Sequence, residues 1–230
     1  ARAKRRDVLK VLSLLLAAGG AGTLAWSTTP LPTLMADQRT VTGERRRLRL
    51  DDGSLLMLNT ATAVDIHYSA SVREIQLLSG EIQIETAPDA QARPFIVHTP
   101  SGSIRALGTR FVVRYDAQRT RVSVQEHAVE VRCASATGSA VRVNSGQQLD
   151  FVSTEAGTLQ QSPSQLDAWT RGMLVIEDWS LGDFISELQR YRPGHLGCAS
   201  AVAQLRISGA FHLGDSDVIL DNLTSTLPVR

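Results

Sequence analysis

The feature that most restricts the fold of this chain is a long series of short alternating segments between Thr40 and Phe151. In each segment, apolar residues recur at every second position, which places them on one face of a β-strand. Turn residues separate the segments at intervals of about 8–12 residues, a spacing typical of sandwiches, barrels and short solenoids. No repeat of fixed length occurs, which disfavours a propeller. We predict a mostly β domain at residues 37–152, built as a two-sheet sandwich or a short solenoid.

The alternation also predicts where the individual strands lie. We expect strands at Arg47–Leu50, Leu55–Leu58, Val64–Tyr68, Val72–Leu78, Glu81–Glu85, Phe95–His98, Gly102–Leu107, Phe111–Tyr115, Arg121–Gln125, Val129–Cys133, Val141–Val143 and Gln147–Phe151. Between the first two predicted strands, the sequence Asp51-Asp52-Gly53-Ser54 strongly predicts a hairpin turn. Ser79-Gly80 predicts a further turn between Val72–Leu78 and Glu81–Glu85.

The beginning of the chain predicts a membrane anchor. The first ten residues carry a net charge of +4, whereas the chain as a whole carries +1, so the rest is mildly acidic. From Val8 to Ala25 the sequence is mostly apolar, about 18 residues, close to the minimum that spans a bilayer. We predict a single transmembrane helix at residues 8–28, with residues 1–7 in the cytoplasm by the positive-inside rule. The alternatives are a cleaved signal peptide, with a loose cleavage site at Thr23-Leu24-Ala25, and a buried core helix.

The first ten residues, which we call the basic head, have a second interpretation. Arg5 and Arg6 are followed by Val8, Leu9 and Lys10, an order similar to a twin-arginine export signal. The alternative is a plain basic cluster that only sets membrane topology. In both interpretations, the residues after about position 28 lie across the membrane, in the periplasm of a Gram-negative cell.

In the last third of the chain, the series of alternating segments ends. Residues 153–165 are rich in Ser, Thr, Gln and Gly, which predicts a linker. At residues 166–230 we predict a small α/β domain of order β-α-β-β-α, without the last strand that such a domain is expected to have. Its strands are Met173–Glu177 and a segment near Leu205–Gly209, and Asp178-Trp179-Ser180 is predicted as a turn. Leu181, Phe184, Ile185 and Leu188 form the apolar face of the first helix, and the second begins at Asp215 or Ser216.

Nothing in the sequence predicts an enzyme with turnover, a cofactor or a metal site. The five histidines are scattered, and neither a nucleophile elbow nor a phosphate-binding glycine loop is present. A net charge of +1 argues against a general nucleic-acid binder. Cys133 and Cys198 lie in different regions, and the sequence leaves open whether they pair.

An ordered set of short motifs resembles one known family. The motifs are Thr42-Gly43-Glu44-Arg45, Leu50-Asp51-Asp52-Gly53-Ser54, Leu58-Asn59, Gly80-Glu81, Arg93-Pro94-Phe95, Ala106-Leu107-Gly108-Thr109, Phe111-Val112-Val113, Ala128-Val129-Glu130-Val131, Ala168-Trp169 and Arg190-Tyr191. Each motif is weak alone, but their order is that of FecR-type transmembrane sigma-factor regulators, and the similarity extends over essentially the whole chain.

The resemblance implies a signalling relay across the cell envelope. A TonB-dependent outer-membrane receptor binds an iron chelate, such as a siderophore or ferric citrate, and its periplasmic signalling domain contacts the regulator. The regulator, in the inner membrane, controls a cytoplasmic extracytoplasmic-function sigma factor. The tail at residues 166–230 resembles the small secretin/TonB N-terminal fold of such regulators.

The chain also departs from the family pattern. Family members carry a cytoplasmic sigma-binding domain before the membrane helix, and residues 1–10 are too short to bind a sigma factor alone. We therefore expect the chain to be a fragment or a trimmed form, with sigma binding a property of the parent protein. The sequence leaves open which iron chelate is sensed, and whether the parent only inhibits the sigma factor or is also needed for its activity.

The resemblance also implies one chemical step. Some regulators of this type cut their own backbone at a Gly-Thr bond, and Gly108-Thr109 stands at the matching position. A threonine hydroxyl attacks the preceding carbonyl, and the resulting ester is opened by water, once per chain. The structural alternative makes Gly108 a turn or bulge glycine and Thr109 the start of a strand.

Two further functions compete with the relay. One is a structural β module of an envelope complex, suggested by the secretin-like tail. The other is a membrane-tethered periplasmic hydrolase, which would need a catalytic triad, a metal set or paired carboxylates that the sequence does not offer.

Overall fold

The computed structural model of the chain describes residues 31–116 and 118–226. It divides into two compact units, residues 1–36 and residues 37–230. In the first unit, the described part holds a short helix, α1 (Leu31–Leu34). The predicted stub at 1–7, the predicted membrane helix at 8–28 and the Arg5-Arg6 pair lie outside the described residues. Among the residues that are described, no helix is both long enough and apolar enough to cross a membrane.

The second unit begins with a β-domain whose strands follow the alternating pattern closely. Its strands are β1 (Gln38–Arg39), β2 (Arg46–Arg49), β3 (Leu55–Leu58), β4 (Ala63–Tyr68), β5 (Arg73–Glu85), β6 (Phe95–Thr99), β7 (Gly102–Ala106), β8 (Arg110–Asp116), β9 (Arg119–Glu126), β10 (Ala128–Cys133), β11 (Val141–Asn144), β12 (Gln147–Phe151) and β13 (Gln160–Gln161). The predicted mostly β fold is confirmed. The segment predicted as a linker contains β13, which pairs with β12.

The thirteen strands form one hydrogen-bonded sheet that curls into two layers through β5. The first half of β5 pairs with β4 and, in parallel, with β6, which places it in the layer β1-β4-β5-β6-β7-β10-β11. Its second half pairs with β3 and β8, in the layer β2-β3-β5-β8-β9-β12-β13. One apolar core, which includes Leu56, Ile75, Ile84, Phe95 and Phe111, lies between the layers.

The predicted turn at Ser79-Gly80 is wrong, because β5 passes from one layer to the other at this point. The strand continues without a break, and the register against β4 shifts at Ala63/Val64. Gly80 has φ +89°, and a Cβ there would lie 2.4 Å from Thr62 Oγ1. A glycine is therefore needed because the backbone is left-handed and Thr62 lies too close for a side chain. The chain does not reverse its direction here.

The C-terminal segment, which we call the tail (residues 166–226), is a small α/β unit. A 3₁₀ helix (Ala168–Arg171) leads into β14 (Met173–Ser180), followed by α2 (Leu181–Gln189), β15 (Arg206–His212) and α3 (Ser216–Thr226). β14 and β15 form an antiparallel pair. The four predicted apolar positions of α2, Leu181, Phe184, Ile185 and Leu188, are all buried in the tail core.

Two predictions for the tail need correction. Asp178-Trp179-Ser180 is not a turn, because β14 continues to Ser180 through a bulge at which Asp178 has φ +52°. The predicted order β-α-β-β-α is also wrong for the described residues, in which only β15 lies between the two helices. Helix α2 begins directly after this strand, and Ser180 caps it, since Ser180 Oγ accepts a hydrogen bond from the Asp183 amide.

Candidate functional site

The tail is held against the β-domain by a row of four alternating charges. Arg190 follows α2 directly and donates from Nη2 to Glu81 Oε2 on β5 at 2.8 Å. Its Nη1 donates to Glu187 Oε1, one turn earlier in the chain. Glu187 also accepts from Arg114 Nη1 on β8 at 2.8 Å. The order Glu81–Arg190–Glu187–Arg114 thus gives each inner charge two opposite neighbours.

Hydrogen bonds made by uncharged groups surround this row. Asn59 is fully buried, and its amide Nδ2 donates to both Glu81 Oε2 and the Tyr191 hydroxyl, each at 2.8 Å. The Thr60 hydroxyl donates to the Arg190 carbonyl at 2.8 Å and accepts from the Gly43 amide. We call these residues the clamp: Gly43, Asn59, Thr60, Glu81, Arg114, Glu187, Arg190 and Tyr191.

Burial and charge together set the ionisation of the clamp. Burial acts to raise the pKa of Glu187, but the charges of Arg190 and Arg114 outweigh it and hold that pKa below its ordinary value. Burial lowers the pKa of Arg190, and the carboxylates of Glu81 and Glu187 raise it by more. Burial, followed by these two negative charges, raises the pKa of Tyr191. All three groups therefore keep their ordinary neutral-pH charge states.

The sequence named parts of the clamp without connecting them. Three of the motifs behind the family resemblance contain clamp residues, but none was predicted to join the β-domain to the tail: Leu58-Asn59, Gly80-Glu81 and Arg190-Tyr191. Glu81 and Arg190 are 109 residues apart, so no local spacing relates them. No pattern marked the two residues as buried, because Asn59 follows the apolar segment Leu55–Leu58 and Glu81 begins a segment in which polar and apolar residues alternate.

A cleft opens beside the clamp. It has a volume of about 610 Å³, and its lining includes Val112, Arg121 and Gln148 from the β-domain and residues Met173 to Trp179 of β14. In the part of the chain that the structure describes, β14 pairs with β15 alone, so its other edge has no strand partner. The cleft thus lies between the outer face of one β layer and a strand of the tail.

The predicted cleavage residues lie at a tight turn between β7 and β8. Gly108 is exposed and has φ +76°, and a Cβ there would meet nothing within 4 Å. Thr109 is 2% exposed. Its hydroxyl donates to the Ala128 carbonyl at 2.7 Å and accepts from the Leu107 amide at 3.0 Å. The hydroxyl is therefore folded back along the chain, toward the amide of the residue before Gly108.

The other side of the Gly108–Thr109 peptide is held by Thr86. The Thr109 amide donates to Thr86 Oγ1 at 2.8 Å, and the Thr86 amide donates to the Thr109 carbonyl at 3.1 Å. Thr86 and Gly108 both line a small cleft of about 250 Å³. Gly108 therefore lies at the surface beside this cleft, whereas Thr109 lies in the protein interior.

The remaining side chains singled out from the sequence are not gathered into a site. No group of three His, Cys, Asp or Glu residues that could hold a metal occurs within residues 31–116 and 118–226. Cys133 and Cys198 are both free thiols, which answers the question of pairing that the sequence left open. Cys133 packs against the β core and Cys198 against the tail core.

The chain is similar to known proteins in two respects. Residues 36–130 match the family model described as FecR protein. Among solved structures, two crystal structures of an anti-sigma factor candidate from Parabacteroides distasonis have the same fold. The first, at 2.50 Å resolution, gives a TM-score of 0.67 at 22% identity, and the second, at 1.65 Å, gives 0.65 at 21%.

In both cases the alignment covers 84% of this chain and 92% of the other. The shared fold therefore extends beyond the segment that the family model matches. No curated protein matches the chain. The match of residues 36–130, the order of the motifs and the shared fold together lead to one conclusion: this segment, which runs from just before β1 to the middle of β10, is a FecR domain.

Proposed function

We propose that this protein regulates a sigma factor. The match of residues 36–130 to the FecR family model is the observation that carries this proposal. The fold shared with the anti-sigma factor candidate from Parabacteroides distasonis supports it. The protein acts by contact with other proteins, and the sigma factor binds to a cytoplasmic domain of the parent protein, on the N-terminal side of the basic head.

In the finer form of the proposal, the protein sits in the inner membrane and relays an iron-chelate signal. Its FecR domain and tail lie in the periplasm, where the tail contacts the signalling domain of a TonB-dependent receptor. The basic head at residues 1–10 and the apolar segment after it support this orientation.

The clamp gives the relay a physical path. A partner bound to the tail acts on α2, and Arg190 and Glu187 at the end of α2 are bonded to Glu81 and Arg114 of the β-domain. Because these charges are mostly buried, a shift of α2 that separated them would be costly. The tail and the β-domain therefore respond to a partner together.

Binding to a receptor domain tests this proposal. The purified chain is titrated calorimetrically with the periplasmic signalling domain of the TonB-dependent receptor encoded beside its gene. We expect one-to-one binding with a Kd of about 10 µM or tighter. The signalling domain of an unrelated receptor is the control. Absence of heat at several hundred micromolar, or equal binding of both domains, would contradict the receptor contact.

We further propose that the chain cuts itself between Gly108 and Thr109. The left-handed glycine, the folded-back Thr109 hydroxyl and the adjacent open cleft support this step. Afterwards the two pieces stay together, because β7 and β8 each remain paired with neighbouring strands on both sides.

A denaturing gel with intact-mass analysis measures this cleavage directly. We expect the wild-type chain to separate into residues 1–108 and 109–230, and the Thr109→Ala chain to remain whole. An intact wild-type chain after prolonged incubation would rule the cleavage out.

A further inference from the structure

Thr86 holds the one amide nitrogen that would become the leaving group in the proposed cleavage. Its Oγ1 lies 2.8 Å from Thr109 N and accepts the hydrogen of that amide. The same hydroxyl lies 3.3 Å from the Thr109 carbonyl oxygen, to which it donates. In the described structure, no other side chain is seen to bond the Thr109 amide.

Breaking a peptide bond requires a proton on its nitrogen. An amide nitrogen is not basic, and expulsion of an unprotonated amine anion is far too costly, so a nearby acid must supply the proton as the bond breaks. A hydroxyl both donates and accepts hydrogen bonds, so Thr86 Oγ1 can reverse its role once the nitrogen becomes tetrahedral and exposes its lone pair.

We propose that Thr86 is a catalytic residue of the Gly108–Thr109 cleavage and acts as the proton donor to the leaving nitrogen. This inference rests on the proposed self-cleavage. The Thr109 carbonyl and amide keep Thr86 in place from two sides, and the 250 Å³ cleft on which Thr86 and Gly108 lie gives solvent access to both.

The step balances without a cofactor. Thr109 Oγ1 forms a bond to the Gly108 carbonyl carbon, and the bond from that carbon to Thr109 N breaks. Thr86 Oγ1 gives its proton to the nitrogen and regains, through solvent in the cleft, the proton that Thr109 Oγ1 lost. An amide and a hydroxyl thereby become an ester and an amine. Water then opens the ester, which leaves a carboxylate on Gly108 and restores the Thr109 hydroxyl.

The test compares three substitutions at position 86 in the full chain. Thr86→Val keeps the shape but lacks the hydroxyl, and we expect cleavage to slow about 100-fold, the usual contribution of acid–base catalysis. Thr86→Ser keeps the hydroxyl and should cleave within about threefold of wild type. Cleavage of Thr86→Val at the wild-type rate would overturn the proposal.

Two further measurements separate catalysis from simple support of the turn. In Thr86→Cys the donor is a thiol with an ordinary pKa of about 8.5, so cleavage should fall as pH rises through the titration of that thiol. A pH profile identical to that of wild type would contradict the role of Thr86. Hydroxylamine attacks esters, so it should accelerate scission of the wild-type and Thr86→Ser chains, while scission of Thr86→Val should remain about 100-fold slower. Scission of Thr86→Val by hydroxylamine at the wild-type rate would show that the ester forms without Thr86.

The outcomes distinguish this inference from the one it depends on. A wild-type chain that remains whole, with or without hydroxylamine, refutes the self-cleavage and the role of Thr86 together. A wild-type chain that is cut, alongside an equally cut Thr86→Val chain, refutes only the role of Thr86. Thermal melting of each variant reports whether it is folded. If Thr86→Val does not fold, the cleavage rate of Thr86→Ser and the pH profile of Thr86→Cys test the role of Thr86.

Discussion

Arg190 is the residue on which the contact between the β-domain and the tail depends most. Its guanidinium bonds two carboxylates of the clamp, one on β5 (Glu81) and one on α2 (Glu187). Its side chain is 18% exposed, and those of Glu81 and Glu187 are 11% and 14% exposed. Removing one partner of such a pair leaves a buried charge uncompensated, which costs more than the pair itself contributes.

We expect Arg190→Met to lower the free energy of unfolding by about 3–5 kcal/mol. Urea denaturation followed by tryptophan fluorescence measures this, since Trp169 and Trp179 both lie in the tail. The control is Arg119→Met, whose side chain is 59% exposed and whose ion pair with Asp150 should contribute about 1 kcal/mol or less. Equal effects of the two substitutions would mean that the clamp does not stabilise the fold.

Glu187 makes the clamp sensitive to acid. Its pKa is lower in the folded chain than in the unfolded one, because the charges of Arg190 and Arg114 outweigh burial. A carboxylate of this kind stabilises the fold fully above its unfolded pKa of about 4.3, and that contribution is lost as pH falls through the folded value. The free energy of unfolding should therefore drop below about pH 4.3.

The Glu187→Gln chain should show a smaller drop over the same pH range, although it is less stable at neutral pH. Urea denaturation of both chains between about pH 6 and pH 3 supplies the comparison. A parallel loss of stability in the two chains would exclude Glu187 as a source of the acid sensitivity.

At the scale of elements, strand β5 organises the β-domain because it belongs to both layers. Its crossing point is Gly80, where the backbone is left-handed and a Cβ would lie 2.4 Å from Thr62 Oγ1. Gly146 offers a matched control, since its φ is +77° but a Cβ there would have nothing within 4 Å.

We expect Gly146→Ala to cost about 1–2 kcal/mol, the strain of a left-handed alanine. Gly80→Ala should cost at least about 2 kcal/mol more, because the new Cβ overlaps Thr62 as well. Chemical denaturation of both variants checks the difference. Similar costs at the two positions would show that the close approach to Thr62 is not tight.

Helix α2 carries Glu187 and leads into Arg190, so its start affects the clamp. Ser180 Oγ accepts from the Asp183 amide at 3.0 Å and donates to the Asp183 carboxylate at 2.6 Å. Ser180→Ala should lower the free energy of unfolding by about 1 kcal/mol, and Ser180→Thr should restore most of it, because threonine also caps helices. If Ser180→Thr is as unstable as Ser180→Ala, the cap is not the cause.

These elements also show how far the sequence predicts the structure. Alternation placed most strands within two residues, because side-chain period and burial are local properties. The predicted turn at Ser79-Gly80 was wrong, because glycine is favoured in turns and also at strand positions where the backbone is left-handed and a neighbouring segment lies very close. The sequence alone does not distinguish these two situations. The parallel pairing of β5 with β6 and the bond between Glu81 and Arg190 were not predictable, since both join residues distant in the chain.

At the scale of the whole molecule, the FecR domain and the tail belong to one compact unit, residues 37–230. The family model matches only residues 36–130, but the alignments to solved structures cover 84% of the chain and so include residues outside that segment. The contact between the β-domain and the tail, which includes the clamp, is the feature that the regulator proposal uses.

Transcription of a sigma-dependent promoter tests this proposal most directly. A promoter reporter is placed in a host cell with the sigma factor encoded beside the gene, alone or together with the intact gene that contains this chain. We predict that adding the intact gene changes reporter output at least fivefold, in either direction, and that Arg190→Met reduces that change. Reporter output that is the same with and without the intact gene would contradict the assignment of this protein as a sigma-factor regulator.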